Sequence, residues 1–324
     1  MKSFIVAVLL MISSTIVLAS QPLNIVVPSI PGGGADVHAR LVSKHLIKYI
    51  NTPVNVMNMQ GAGGLTMSNW IYNVSDQQNT IGILSVNNNT ITHGILKEEN
   101  VKYDIQKFKW LLSLEDGDKN VFVLWANRTR GLDNITMLLK PDNIFVIGNQ
   151  GPNNIQTYFI STVIGVKSKI IFGYKDIIKA LEMNEIDARF GTIMSAESRY
   201  PQWLTGQDVI VPILQMGAPH RHPSIKNVPN IRELVKDDND LKLITFYEKL
   251  VKLSRLVIAP PNMKSDRVEF IIDALMNMRQ DKDFISDSDK LNLDFNFINQ
   301  NETSILIQDI LNTDPSIVRM FINK

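Results

Sequence analysis

The feature that most constrains this chain lies at residues 26–40, VVPSIPGGGADVHAR, where an apolar β-branched run meets a proline, three consecutive glycines and then a helical pattern. β-Branched residues favour extended backbone, and glycine lets a chain turn sharply at its end. The spacing predicts a strand over residues 23–29 and a helix over 35–50, with Val37, Leu41, His45, Leu46 and Ile50 near one face. The same succession follows at once: a strand over 54–59, a second glycine turn at Gly61, Ala62, Gly63 and Gly64, a helix over 65–73 and a strand over 80–86. Strand, helix, strand, helix, strand specifies parallel α/β layers with right-handed crossovers, which puts both glycine turns at the carboxyl ends of their strands, on one rim.

Further strands are predicted at 120–127, 143–148, 168–174, 187–193 and 209–217, then a strand-rich return over 250–261 and closing helices over 265–279 and 302–312. A chain of 324 residues exceeds the size at which one core keeps growing. The expected division is 1–20 as a signal peptide, 21–121 plus 246–324 as a first lobe, and 122–245 as a second. Residues 1–20 combine Lys2, an apolar run from Phe4 to Ile12 and the small residues of VLAS, the grammar of a cleaved secretory signal. A membrane anchor is the competing reading of the same stretch. The chain has no cysteine, so attachment through a lipidated N-terminal Cys is excluded, and the expected product is an exported, periplasmic protein. A net charge of +1 without a long basic block argues against nucleic acid as a partner. The short basic stretches at Lys44, Lys48, His220 and Arg221 read as solvated faces.

A helix that begins at a strand end presents unpaired N–H groups and a positive dipole end, so each glycine turn suits an anion. Pro31 restrains the approach, and Asp36 either caps the helix or sits in its first turn. A phosphate loop would need Gly-Lys-Ser/Thr, where this chain has Gly34-Ala35-Asp36; a dinucleotide fingerprint would need a third, spaced glycine. No Gly-x-Ser-x-Gly elbow accompanies the triple glycine, and the five histidines form no His-Glu-x-x-His set. His220 and His222 alternate in PHRHP, a spacing open to a metal or, more simply, to a proline-flanked loop. With no catalytic residues, metal set or cofactor motif in view, a binding protein is expected rather than an enzyme.

VVPSIPGGGADVHARLVSKHL followed by TPVNVMNMQGAGGLTMSNWI resembles the N-terminal signature of the solute-binding receptors of tripartite tricarboxylate transporters, the Bug family. The likeness extends through VKYDIQKFKWLLSL, similar to the family's Tyr-Asp linker, IGNQGPNNIQTYFI, GYKDIIKALEMNEIDARFG and RHPSIKNVPNIREL. The resemblance implies a type II periplasmic-binding-protein fold, in which two α/β lobes close by hinge motion over a central cleft. It further implies a monomer that captures a small organic carboxylate, without a cofactor, and delivers it to membrane permease subunits. A sensor that presents its closed form to a membrane signalling partner is the alternative.

Carried over by position, the first loop comprises Ile30, Pro31, Gly32, Gly33, Gly34 and Asp36, the second Gly61, Ala62, Gly63 and Gly64, and the third strand end Ser85 and Asn87. Gly148, Asn149, Gln150, Asn153, Asn154, Tyr174 and Thr192 would face them from the second lobe. Each has a plainer reading: tight turn geometry for the second loop, a packed aromatic for Tyr174, helix caps for Asn153 and Asn154. The chain departs from the family where MNMQ precedes the second glycine turn in place of Glu-Asn-Arg-Pro, which removes a cation. Thr192 also stands near where many relatives carry an Asp, which makes an amino-acid ligand less supported than a plain carboxylate.

Overall fold

A computed structural model of the chain describes residues 21–85, 89–140, 144–149, 155–174 and 176–322. The first segment builds β1 (Leu23–Val27), α1 (Gly34–Ile50), β2 (Val54–Asn58), α2 (Leu65–Asn73), β3 (Thr80–Ile83), α3 (Thr90–Leu96) and β4 (Lys109–Ser113). β1 pairs in parallel with β2, Leu23 opposite Val54 and Val27 opposite Asn58, and with β3 on its other side. Leu23, Ile25, Val26 and Val27 are buried, as expected of a central parallel strand covered on both faces. α1 packs inward through Leu41, Val42, Leu46 and Ile50, each worth about 1.5–3 kcal/mol when removed from water.

The chain then crosses to a second sheet: β5 (Phe122–Asn127), α4 (Ile135–Leu138), β6 (Phe145–Asn149), α5 (Ile155–Tyr158), β7 (Ser168–Phe172), α6 (Ile177–Glu182), β8 (Ala188–Thr192), α7 (Ile193–Arg199) and β9 (Ile210–Met216). A long helix, α8 (Asp238–Lys252), leads back to β10 (Leu256–Ala259), followed by α9 (Ser265–Met278), α10 (Lys282–Lys290), α11 (Gln300–Leu311) and α12 (Pro315–Ile322). The two sheets run β2-β1-β3-β10-β4 and β7-β6-β8-β5-β9. In each, the fourth strand is the one that has just arrived from the other sheet, and it is antiparallel to both neighbours. The sequence shows no repeat, yet the two lobes are built to one plan.

Both crossings join carboxyl rim to carboxyl rim. β4 ends at Ser113 on the rim of the first sheet, and β5 begins at Phe122 on that of the second, opposite Thr192 at the end of β8. The return segment enters β10 beside the end of β3, where Leu84 N–H donates to Leu256 O at 2.8 Å. The crossings touch at Gly117, where a Cβ would lie 1.9 Å from Val251 O. Lys252 bridges to Asp116 at 3.2 Å and Asp118 at 2.9 Å across the same point.

Two expectations are corrected. Residues 250–252 belong to a helix rather than to a strand-rich return, because Leu243, Phe246, Tyr247, Leu250 and Val251 form one buried face at helical spacing and Asp237 caps the start by accepting from Asn239 and Asp240 N–H. The basic stretch of α1 is an anchor, not an idle face: Lys44 pairs with Asp287, Lys48 with Asp281 and Asp283, and His45 is buried against Phe284, all on α10 or its cap. No helix among the described residues is long and apolar enough to cross a membrane.

Candidate functional site

The parallel register of β1, β2 and β3 brings the first glycine turn, the second and Ser85 to one edge. Side-chain and backbone bonds fasten them there: Asn58 Nδ2 donates to Ser29 O at 3.0 Å, Met59 N–H to Val27 O at 2.8 Å and Asn89 N–H to Gly63 O at 2.9 Å. Ile30, Pro31, Gly32 and Gly34 are exposed, as are Gly61, Ala62 and Gly63. Asn87, Gln150, Asn153 and Asn154 lie outside the described residues.

Within the first turn the amides divide into two sets. Gly32 N–H donates to Asp36 Oδ2 at 2.8 Å and Gly33 N–H to Ile30 O at 3.0 Å, so both shape the loop. Gly34, Ala35 and Asp36 open α1 with no capping side chain, which leaves their N–H groups outside the helical ladder. Asp36 itself is an internal anchor: it is 1% exposed and also accepts from Arg40 Nε and Asn58 Nδ2, each at 2.8 Å. The Arg40 bond, opposed by burial and helped by Gly32 and Asn58, holds the Asp36 carboxyl down to about 2. The second turn needs its glycines, for Gly61 and Gly63 have φ of 135° and 62°, and a Cβ on Gly63 would fall 2.8 Å from Asn89 Nδ2. Ala62 shares the left-handed region at φ 45°.

Arg255, which carried no signal in the sequence, joins this edge because β10 starts beside the end of β3. A Cβ on Gly34 would lie 3.6 Å from Arg255 Nη2, so the guanidinium faces the open end of α1. Arg255 Nη1 donates to Ser254 O at 3.1 Å, Nε stands 3.9 Å from Glu115 Oε2, and Nη2 has no hydrogen-bond partner among the described residues. Glu115 is buried at the end of β4 and meets His38 Nε2 at 2.6 Å, while His38 Nδ1 meets Gly34 O at 2.7 Å. Burial pushes the Glu115 carboxyl up, but His38 and the Arg255 charge outweigh it and hold the group below its ordinary range. Arg255, in the turn that precedes β10, thus places a cation on this edge about 195 residues after the second glycine turn.

On the second rim, Asn149 ends β6 and is buried, and Tyr174, just beyond β7, packs partly buried against the Trp125 and Trp203 cluster. Thr192 ends β8 and caps α7, its Oγ1 accepting from Ser195 N–H at 3.4 Å. Gly148 serves packing, since a Cβ there would strike Ile186 Cδ1 at 2.4 Å. A depression of about 500 Å³ flanks the outer side of the first turn, lined by Gly32, Asp36, Arg40, Lys44, Asp287 and Lys290. Its charges are already paired with one another. His222 Nδ1 accepts from Ser224 N–H at 3.3 Å as a helix cap, and no group of three or more His, Cys, Asp or Glu among the described residues is placed to hold a metal.

No protein-family model matches the sequence, and no curated protein does. Solved structures do match the fold. A TctC solute-binding protein from Polaromonas superposes with a TM-score of 0.67 at 16% identity, over 94% of this chain and 99% of that one. A Rhodopseudomonas palustris protein with adipate gives 0.62 at 14% identity, over 94% and 98%. MatC of the same organism with bound malate gives 0.58 at 16% identity, over 92% and 98%. The chain therefore has the two-lobed α/β fold of these solute-binding proteins.

Proposed function

We propose that the protein is an exported, periplasmic receptor that captures a small organic carboxylate between its lobes and hands it to the permease of a tripartite tricarboxylate-type transporter. The observation that carries this reading is the pairing of the uncapped α1 N-terminus with Arg255 Nη2 across the Gly34 position. Three amides outside the helical ladder at a positive helix end and one guanidinium nitrogen stand at the same position, a combination that favours an anion over a cation. Ala62, Gly63 and Ser85 extend the cradle along the same edge. Asn149, Tyr174 and Thr192 supply the opposite wall when the lobes close. Adipate and malate in structures of the same fold agree with this ligand class.

The chemistry is capture without turnover: Glu115 and Asp36, the carboxylates at this edge among the described residues, are spent on internal partners. Micromolar affinity corresponds to about −8 kcal/mol, within reach of two charge-assisted contacts and an enclosed cleft. Thermal-shift screening of the purified protein against mono-, di- and tricarboxylates is the test. Stabilisation by one class is expected, and no shift with any carboxylate up to millimolar concentration overturns the reading.

A further inference from the structure

Arg189 lies on the second lobe, outside the cradle described above. It stands on β8, opposite Trp125 of β5 and Gly148 of β6, three residues before the carboxyl end of the strand. Its Nε is fully buried with no hydrogen-bond partner, and no carboxylate among the described residues forms an ion pair with it. Among the other half-buried arginines, Arg232 pairs with Glu248 at 2.6 Å, and Arg128 and Arg255 each stand 3.9 Å from a carboxylate, Asp133 and Glu115. Burial pushes the Arg189 guanidinium below the usual arginine range, and only Tyr200 acts the other way.

The guanidinium runs along the strand towards the rim. A Cβ on Gly191 would lie 3.1 Å from Arg189 Nη2 and 3.4 Å from its Cζ, so the bare strand position is what gives the group its room. Trp125 Cδ1 closes the same space at 3.4 Å from that Cβ position. An unpaired guanidinium held in an aromatic niche is costly unless something anionic visits it, because desolvation of an ion is repaid only by a well-placed counter-charge. Thr192 and Gly191, the last residues of β8, are half-exposed, which leaves the rim end of the niche open.

We propose that Arg189 is the second lobe's receptor for a carboxylate, so that the preferred ligand carries an acidic group at each end: one for the α1 amides and Arg255, the other for Arg189. This rests on the carboxylate-receptor reading of the cleft. A ligand that joins the two cations ties closure of the lobes to the diacid, whereas a monoacid engages only the first rim. Arg189 is then the residue that sets specificity, and its niche is unpaired in the free protein because its counter-ion is the ligand.

The test is a calorimetric comparison of α,ω-diacids from succinate to adipate with the monoamide of each, on wild type, Arg189→Gln and Gly191→Ala, with the unliganded melting point and tryptophan emission of each variant. Wild type is expected to favour at least one diacid over its monoamide by tenfold or more. In Arg189→Gln that ratio collapses towards one while the unliganded melting point holds or rises. Gly191→Ala, which crowds the guanidinium without deleting it, reduces the ratio in the same direction. A diacid preference that survives Arg189→Gln overturns the role of Arg189 and leaves the receptor reading standing. Equal loss for diacid and monoamide with a lowered melting point makes Arg189 structural and overturns it too. Absence of carboxylate binding by wild type overturns the receptor reading itself.

Discussion

Replacing Gly34 with Ala is the sharpest probe of the first rim. Gly34 is the first residue of α1, its φ lies outside the left-handed region, and the added methyl meets nothing closer than Arg255 Nη2 at 3.6 Å, an ordinary contact. The backbone therefore tolerates the change, and removal of glycine's freedom in the unfolded chain adds up to about 0.5–1 kcal/mol of stability. That is roughly 2–4 °C at most in a chain of this size. The same methyl occupies the space between the helix amides and the guanidinium, where a carboxylate oxygen must approach each donor to about 2.8 Å. Loss of one charge-assisted hydrogen bond is worth about 1.5–3 kcal/mol, or about 10- to 150-fold in affinity. Calorimetric titration with whichever carboxylate stabilises the wild type, beside a thermal melt without ligand, separates the two effects. An unliganded melting point at or above wild type with affinity reduced at least tenfold is expected. Wild-type affinity in Gly34→Ala would remove the α1 terminus from the site.

Asp36→Ala strands the Gly32 N–H, the Arg40 guanidinium and the Asn58 amide, and should cost about 2–3 kcal/mol in denaturant unfolding together with loss of carboxylate binding. Because the Asp36 carboxyl is held down to about 2, its contribution is complete above about pH 4 and fades as pH falls through 2, so the variant and wild type should converge in acid melts. Glu248 is the opposite case: burial, reinforced by Asp118 and opposed by Arg232, raises its carboxyl from 4.5 to about 7. The folded protein then holds a proton that the unfolded chain has released, so stability drops as pH rises through that window. Glu248→Gln should match wild type near pH 4.5 and exceed it by about 2–3 kcal/mol at pH 8, as read from melts at both values. At the crossing of the lobes, Gly117→Ala drives a Cβ against Val251 O, and differential scanning calorimetry should show a loss of at least about 1–3 kcal/mol.

The first lobe was legible because its signals are local. A β-branched run, a glycine turn and an apolar stripe of period 3.6 each act over a few residues, and the helix at Leu65–Asn73 falls on its predicted bounds. β4 was harder to see, since KWLLS is short and lies in a segment whose family likeness suggested a linker. The sequence reads as strand at the end of α8 because Leu250 and Val251 adjoin the apolar run of β10, and only the cap at Asp237 and the buried stripe behind it reveal the helix. Arg255 and Arg189 escaped for a different reason. Each is a lone basic residue in a strand context, and what makes it chemically distinct is the glycine it lies beside, at position 34 in one case and the absence of a counter-ion in the other. Neither property belongs to a sequence window. The sequence shows Asp36 in the first turn of α1, but its three partners, which make it an internal anchor, become visible only when β2 brings Asn58 alongside.

The position of β10 between β3 and β4 has a consequence in time. All five strands of the second sheet lie within residues 122–216, so that sheet can complete itself as soon as this stretch is available. The first sheet cannot: until Leu256–Ala259 has been made, β3 and β4 each present an open edge, and the loop that must close to join them spans the whole of the other lobe. Loop closure of that length is entropically slow to reward, so the part of the chain that is synthesised first is the part that sets last.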